Sequence, residues 1–110
     1  MTVDATIYRD TDAVIEVDVT DGNGNAVDMS GAIISYRVGD RFVPATTSLD
    51  AIAGQVVNGP AGKIQAVLGE DHLDALASTQ YTHQFYVELA TGEKGVVVDG
   101  VLTVKSTVPA

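Results

Sequence analysis

No cysteine occurs in the 110 residues, which removes disulfide staples and thiolate zinc sites and leaves the hydrophobic core to stabilise the fold by itself. Tryptophan is also absent and aromatic residues make up 5%, too few for the stacking platforms that grip sugars or single-stranded nucleic acid. Basic residues are scarce: six Lys plus Arg stand against fifteen Asp plus Glu, a formal charge of −9. Nucleic-acid affinity rests largely on neutralising phosphates, so no direct DNA or RNA partner is expected, and the same charge disfavours anionic membrane surfaces. No run approaches the roughly 18 apolar residues of a membrane span. Met1-Thr2-Val3-Asp4 has neither a basic n-region nor an apolar h-region, so no cleaved signal peptide is expected and synthesis in a cytoplasm is the default.

Hydrophobic residues make up 45% of the chain, and many are Val and Ile, whose branching at Cβ suits a pleated surface better than a helix. Ile15, Val17 and Val19 alternate with Glu16, Asp18 and Thr20, the pattern of a half-buried strand. Asp21-Gly22-Asn23-Gly24-Asn25 gathers residues that tolerate positive φ and marks a tight turn or hairpin. A second alternation places Ala32, Ile34, Tyr36 and Val38 inward with Ser35 and Arg37 outward, and Arg41 to Ala45 is assigned a short strand ending at Pro44. Thr46 to Val57 has mixed periodicity and is assigned to a loop.

Beyond the breakers Asn58-Gly59-Pro60-Ala61-Gly62, a strand over Lys63 to Leu68 puts Ile64, Ala66 and Leu68 on one face. Glu70 to Ala77 changes period, with Leu73, Leu76 and Ala77 at helical spacing and acids at its start, which predicts one short helical turn. Tyr81, His83, Phe85, Val87 and Leu89 then run in phase, Thr91 to Gly95 forms a turn, and Val96, Val98, Leu102 and Val104 share a face of a last strand. Tyr81 follows the helical turn and opens a strand, the position of a corner tyrosine whose hydroxyl bonds upstream backbone. These elements predict an all-β, immunoglobulin-like antiparallel β-sandwich with one short helical turn, as a single domain over residues 1–110. Its expected core includes Ile15, Val17, Val19, Ile34, Tyr36, Ile64, Leu68, Phe85, Val87, Leu102 and Val104.

Each candidate for chemistry departs from its pattern. Asp21, Asn23 and Asn25 imitate the start of a calcium loop, but Ala26 occupies the glycine position and Ala32 the position of the bidentate glutamate. Gly62-Lys63 resembles the end of a phosphate loop, yet Val57 stands at the first glycine and Ile64 replaces the hydroxyl residue. Glu70, Asp71, His72 and Asp74 adjoin one another in sequence, and on a helix His72 diverges from Asp71 and Asp74, so these acids read as a helix start. His83 lies in phase with apolar residues, where a backbone partner is the ordinary arrangement. The serines lack a Gly-x-Ser-x-Gly setting. No catalytic residue, metal ligand or cofactor is assigned, and the chain reads as a non-enzyme.

The run Arg9-Asp10-Thr11-Asp12, then Ile15 to Asp21, then Gly24 to Ala32, resembles the immunoglobulin-like N-terminal domain of phage baseplate upper proteins and related small virion proteins. Gly62-Lys63-Ile64, Leu68, Leu73, Tyr81 and Gly100 to Lys105 continue the likeness in the same order across most of the chain. Glu70-Asp71-His72 departs where such sequences often carry a Thr-Pro-like helix start, and nothing follows Ala110 where baseplate upper proteins continue into further domains. The resemblance implies a non-enzymatic virion component, closer to a capsid decoration, neck or tail adaptor than to a full baseplate arm. It implies docking on other phage virion proteins in multiple copies of a symmetric assembly, and localisation in the virion after synthesis in the host cytoplasm. The alternative is an adhesion or carbohydrate-binding module using the loops at one end of the sandwich. Docking is expected to use the less charged strands or the chain ends, both of which are expected to lie on a neighbour. Strand phase makes Val14, Ile33, Val97 and Val101 the apolar candidates on the exposed side.

Overall fold

The computed structural model describes residues 2–8, 11–40, 47–69, 77 and 79–105, with the side chains of 40 and 47–50 left aside. Eight strands follow in chain order: β1 Ala5–Tyr8, β2 Ala13–Asp18, β3 Ile33–Asp40, β4 Thr47–Ala53, β5 Gln55–Asn58, β6 Lys63–Leu68, β7 Gln80–Glu88 and β8 Lys94–Lys105. They form a five-stranded sheet in the order β1-β8-β7-β3-β4 and a three-stranded sheet in the order β2-β6-β5. The fold is an all-β sandwich. Its division of β2, β6 and β5 from β3, β7 and β8 matches the immunoglobulin arrangement, in which strands B, E and D face C, F and G.

Alternation drives the assembly, because a strand with one apolar face must bury it against a second sheet. All eleven expected core residues are buried, with Ile64, Leu68, Phe85 and Leu102 fully enclosed. Each such side chain contributes about 1.5–3 kcal/mol relative to exposure, before the entropy of ordering is set against it. Ile7, Met29, Val38, Ala66, Tyr81 and Val98 complete the core.

The segment assigned to a loop over Thr46 to Val57 instead contains β4 and most of β5. Leu49 and Ile52, three residues apart, pair with Val38 and Tyr36, two apart, so an irregularity breaks the period that would have marked β4. The sandwich is also not wholly antiparallel: β1 pairs in parallel with β8, matching Ala5 to Leu102 through Tyr8 to Lys105. Thus the N-terminal segment docks on the chain's own sheet, while the C-terminal end past Lys105 lies outside the described residues. The strand assigned to Arg41 to Ala45 and the helical turn of Glu70 to Ala77, apart from Ala77 itself, lie outside the described residues.

Gly54 marks the crossing from β4 in one sheet to β5 in the other. Its N–H donates to the Ile34 carbonyl at 2.9 Å, and a Cβ there would sit 2.9 Å from both Ile34 Cβ and the Gln65 carbonyl oxygen. Only a residue without a side chain lets the backbone pass this close.

The corner tyrosine is in place. Tyr81 is buried at the start of β7, and its hydroxyl donates to the Ala77 carbonyl at 3.1 Å. This bond ties the incoming connection to the strand that forms the centre of the larger sheet.

Candidate docking surface

The outer face of the five-stranded sheet is built in rows across β3, β7 and β8. Ile33, Glu88 and Lys94 form one row, Ser35, Tyr86 and Val96 the next, and Arg37, Gln84 and Asp99 the third. Ala53 extends the middle row onto β4 opposite Ser35. That middle row carries no charge in a chain of net charge −9. Ile33 is 66% exposed and Val96 48% exposed, while the Arg37 guanidinium lies 4.2 Å from the Tyr86 ring centroid. The stack holds a planar cation and an aromatic ring at the surface, the residue types that dominate interface energetics. Lys94 sits 3.7 Å from Glu88 at the margin of the patch.

A smaller apolar site lies on the other sheet. Val14 of β2 pairs with Val67 of β6, and the two are 59% and 44% exposed. Towards the opposite end of this face Lys63 bridges Glu16 at 3.6 Å and Asp18 at 3.9 Å, so its lysine serves a surface ion pair.

The four sequence-predicted docking residues therefore separate. Val14 and Ile33 stand on outer faces of different sheets, and Val101 is half-buried on the outer side of β8. Val97 does not fit the expectation: it is partly buried and packs against the core. A register shift between Phe85 and Tyr86 pairs them with Val98 and Val96, leaving Val97 as the extra residue of a bulge. Val96, expected inside, consequently faces out. Three consecutive valines give no signal of where the phase slips, so Val96 and Tyr86 are not legible from sequence as surface partners. Arg37 and Tyr86 do fall on the outward phase, but their stacking depends on adjacency across strands.

A buried polar node lies beneath this face. His83 is fully buried on β7, with Nε2 2.5 Å from the Val3 carbonyl oxygen and Nδ1 2.8 Å from the Tyr36 hydroxyl. A carbonyl can only accept, so Nε2 carries the proton and Nδ1 of the neutral ring accepts from Tyr36. The phenol ring meets the imidazole edge-on at 5.7 Å. Burial lowers the His83 pKa, opposed by the Val3 hydrogen bond and the charges of Asp4 and Asp99; burial also pushes the Tyr36 hydroxyl far up. Burial favours the neutral form of both groups, and each supplies a hydrogen-bond partner for the other.

The other chemical candidates resolve similarly. Asp21 Oδ1 accepts from the N–H groups of Asn23 at 2.8 Å and Asn25 at 3.0 Å, so this carboxylate braces the turn that resembled a calcium loop. Gly62 has φ 72° and a backbone packed against Val19 and Val27; its conformation serves the turn into β6. Glu70, Asp71, His72 and Asp74 lie outside the described residues. Among the described residues no group of three or more His, Asp or Glu side chains is placed to hold a metal ion. A shallow depression of about 340 Å³ between β1, β7 and β8 is lined by Asp4, Ala5, Thr6, Gln80, Val101 and Thr103, with little apolar wall for an organic ligand.

No protein-family model and no curated protein matches this chain.

Proposed function

We propose that this domain is a non-enzymatic structural component of a phage particle that works by protein–protein docking through the outer face of its five-stranded sheet. The observation carrying the reading is the uncharged row Ala53, Ser35, Tyr86 and Val96, with Ile33 beside it and Arg37 stacked on Tyr86. An interface core is depleted in charge and enriched in aromatic residues and arginine. This face meets that description in a chain that is strongly acidic as a whole. The resemblance of the strand and turn sequences to baseplate and small virion proteins supplies the setting. Assembly in repeated copies within the particle is the corresponding mode of action.

The test is quantitative mass spectrometry of purified particles from the phage that encodes the chain. A fixed copy number relative to the major capsid or tail protein is expected. Absence from particles, with the protein abundant in the infected cell, would overturn the virion reading.

A further inference from the structure

The charges bordering the uncharged row have an order that suits one partner in particular. On one side of the Ser35–Tyr86–Val96 row stand Ile33, Glu88 and Lys94, and on the other Arg37, Gln84 and Asp99. A two-fold axis laid along the middle row exchanges these two rows. Lys94 of one copy then faces Asp99 of the other, Glu88 faces Gln84, and Ile33 faces the alkyl part of Arg37. Tyr86 and Val96 meet their own counterparts across the axis. No like charges are opposed among these residues, although the chain as a whole carries −9. The operation keeps the strands of the two sheets aligned, the usual relation of sheets packed face to face.

We propose that a second copy of this chain seats on the outer face of the five-stranded sheet, forming an isologous dimer about this axis. This deepens the docking reading above, on which it rests, by naming the occupant of the face. The contact is small: a two-fold along this row opposes only β3, β7 and β8, over about five positions each from the Ile33 row to the Arg37 row, roughly 240 Å² of each face at about 4.8 Å between strands and about 3.3 Å per residue, well under the roughly 800 Å² per partner of a standard interface and in keeping with a weak, salt-sensitive association. Tyr86, held by the Arg37 stack and flanked by Ile33 and Val96, is the anchor. The Lys94–Asp99 contacts, made twice by symmetry, set the register and exclude the sheet's other alignments.

The pattern permits a test that a nonspecific apolar patch would not pass. Asp99→Lys sets a new ammonium group against Lys94 twice in its own homodimer, while Lys94→Glu sets a new carboxylate against Asp99 twice. Mixed in equal amounts, the two variants form a heterodimer in which one of the two contacts pairs the new lysine with the new glutamate and the other keeps the original Lys94–Asp99 pair. Sedimentation velocity should find wild type dimeric, each variant alone weakened about tenfold or more in association at low salt, and the mixture dimeric again. Val96→Asp, which sets two carboxylates against each other on the axis, should be monomeric and still folded by circular dichroism. Wild type that stays monomeric up to about 1 mM, variants that self-associate as wild type does, or a mixture that fails to recover would each overturn the proposal. Particles play no part in this readout. A monomeric wild type overturns the two-fold contact alone, whereas absence from particles overturns the virion reading.

Discussion

His83 on β7 donates from Nε2 to the carbonyl of Val3 at 2.5 Å, joining residues eighty positions apart in the chain. Space for that contact comes from Gly100, the cross-strand neighbour of His83 on β8, where a Cβ would collide with the Val3 backbone. The incoming segment is fixed at three further points: Val3 N–H donates to the Asp99 carbonyl at 2.8 Å, Asp4 Oδ1 accepts from Val101 N–H at 2.9 Å, and Thr2 forms a bridge with Asp99. Together these hold β1 in register on the edge of the larger sheet.

Replacing His83 by Phe removes both hydrogen bonds of the node while keeping a ring in the core. The Tyr36 hydroxyl and the Val3 carbonyl are then left without their bonds, and stability should fall by about 1–3 kcal/mol. Urea denaturation measures this directly; an unchanged midpoint would mean that the node contributes nothing net.

The same histidine gives stability a pH dependence of known sign. Burial holds its folded-state pKa below the ordinary 6.5, so below that pH the unfolded chain binds the additional proton and the folded state loses ground. Stability attributable to His83 is fully present above the unfolded pKa and falls as pH drops below it. Wild type should unfold at lower urea at about pH 5.5 than at about pH 7.5, and His83→Phe should have a flatter response over this window. Equal slopes in the two proteins would assign the dependence to other groups.

Glycine positions divide sharply by what surrounds them. Gly100→Ala should expel the Val3 backbone and strip hydrogen-exchange protection from Ile7, whose strand depends on that register. Gly22→Ala meets nothing within 4 Å and should change stability by no more than about 0.5 kcal/mol. Protection of Ile7 unaltered by Gly100→Ala would contradict the latch.

Tyr81→Phe deletes only the hydroxyl that donates to Ala77. The expected loss is about 0.5–2 kcal/mol, read as a shift in denaturation midpoint at constant slope. This residue is legible from sequence because its role follows from position, at the opening of a strand after a connection, and needs no distant contact to be known.

Where alternation is unbroken, the same legibility extends to packing. Ile15, Val17, Ile64, Leu68, Phe85 and Leu102 each lie in a regular strand and each is buried as its phase requires. Three features escape for separate physical reasons. Val3, Ala5 and Ile7 do alternate, but β1 is four residues long and its small Ala5 gives little apolar signal. Bulges disturb β4 and the first part of β8, moving Val97 inward and Val96 outward. Met29 is fully buried outside any strand, held by its N–H bond to the Gly59 carbonyl at 2.8 Å, so no periodicity could reveal it. The proposed docking face is visible only in part, as Ile33, since its remaining members come together through register across strands.

The docking claim is tested most directly by counting a folded surface variant in particles. Ile33→Asp combined with Val96→Asp changes two exposed positions on the outer face, and circular dichroism with thermal melting establishes that the isolated domain still folds. Supplied to cells infected by a phage lacking its own copy of the gene, wild type should enter particles at fixed copy number and the folded double variant at about a tenth of that level or less, the loss that truncating interface anchors produces. Normal incorporation of the folded double variant would contradict the account.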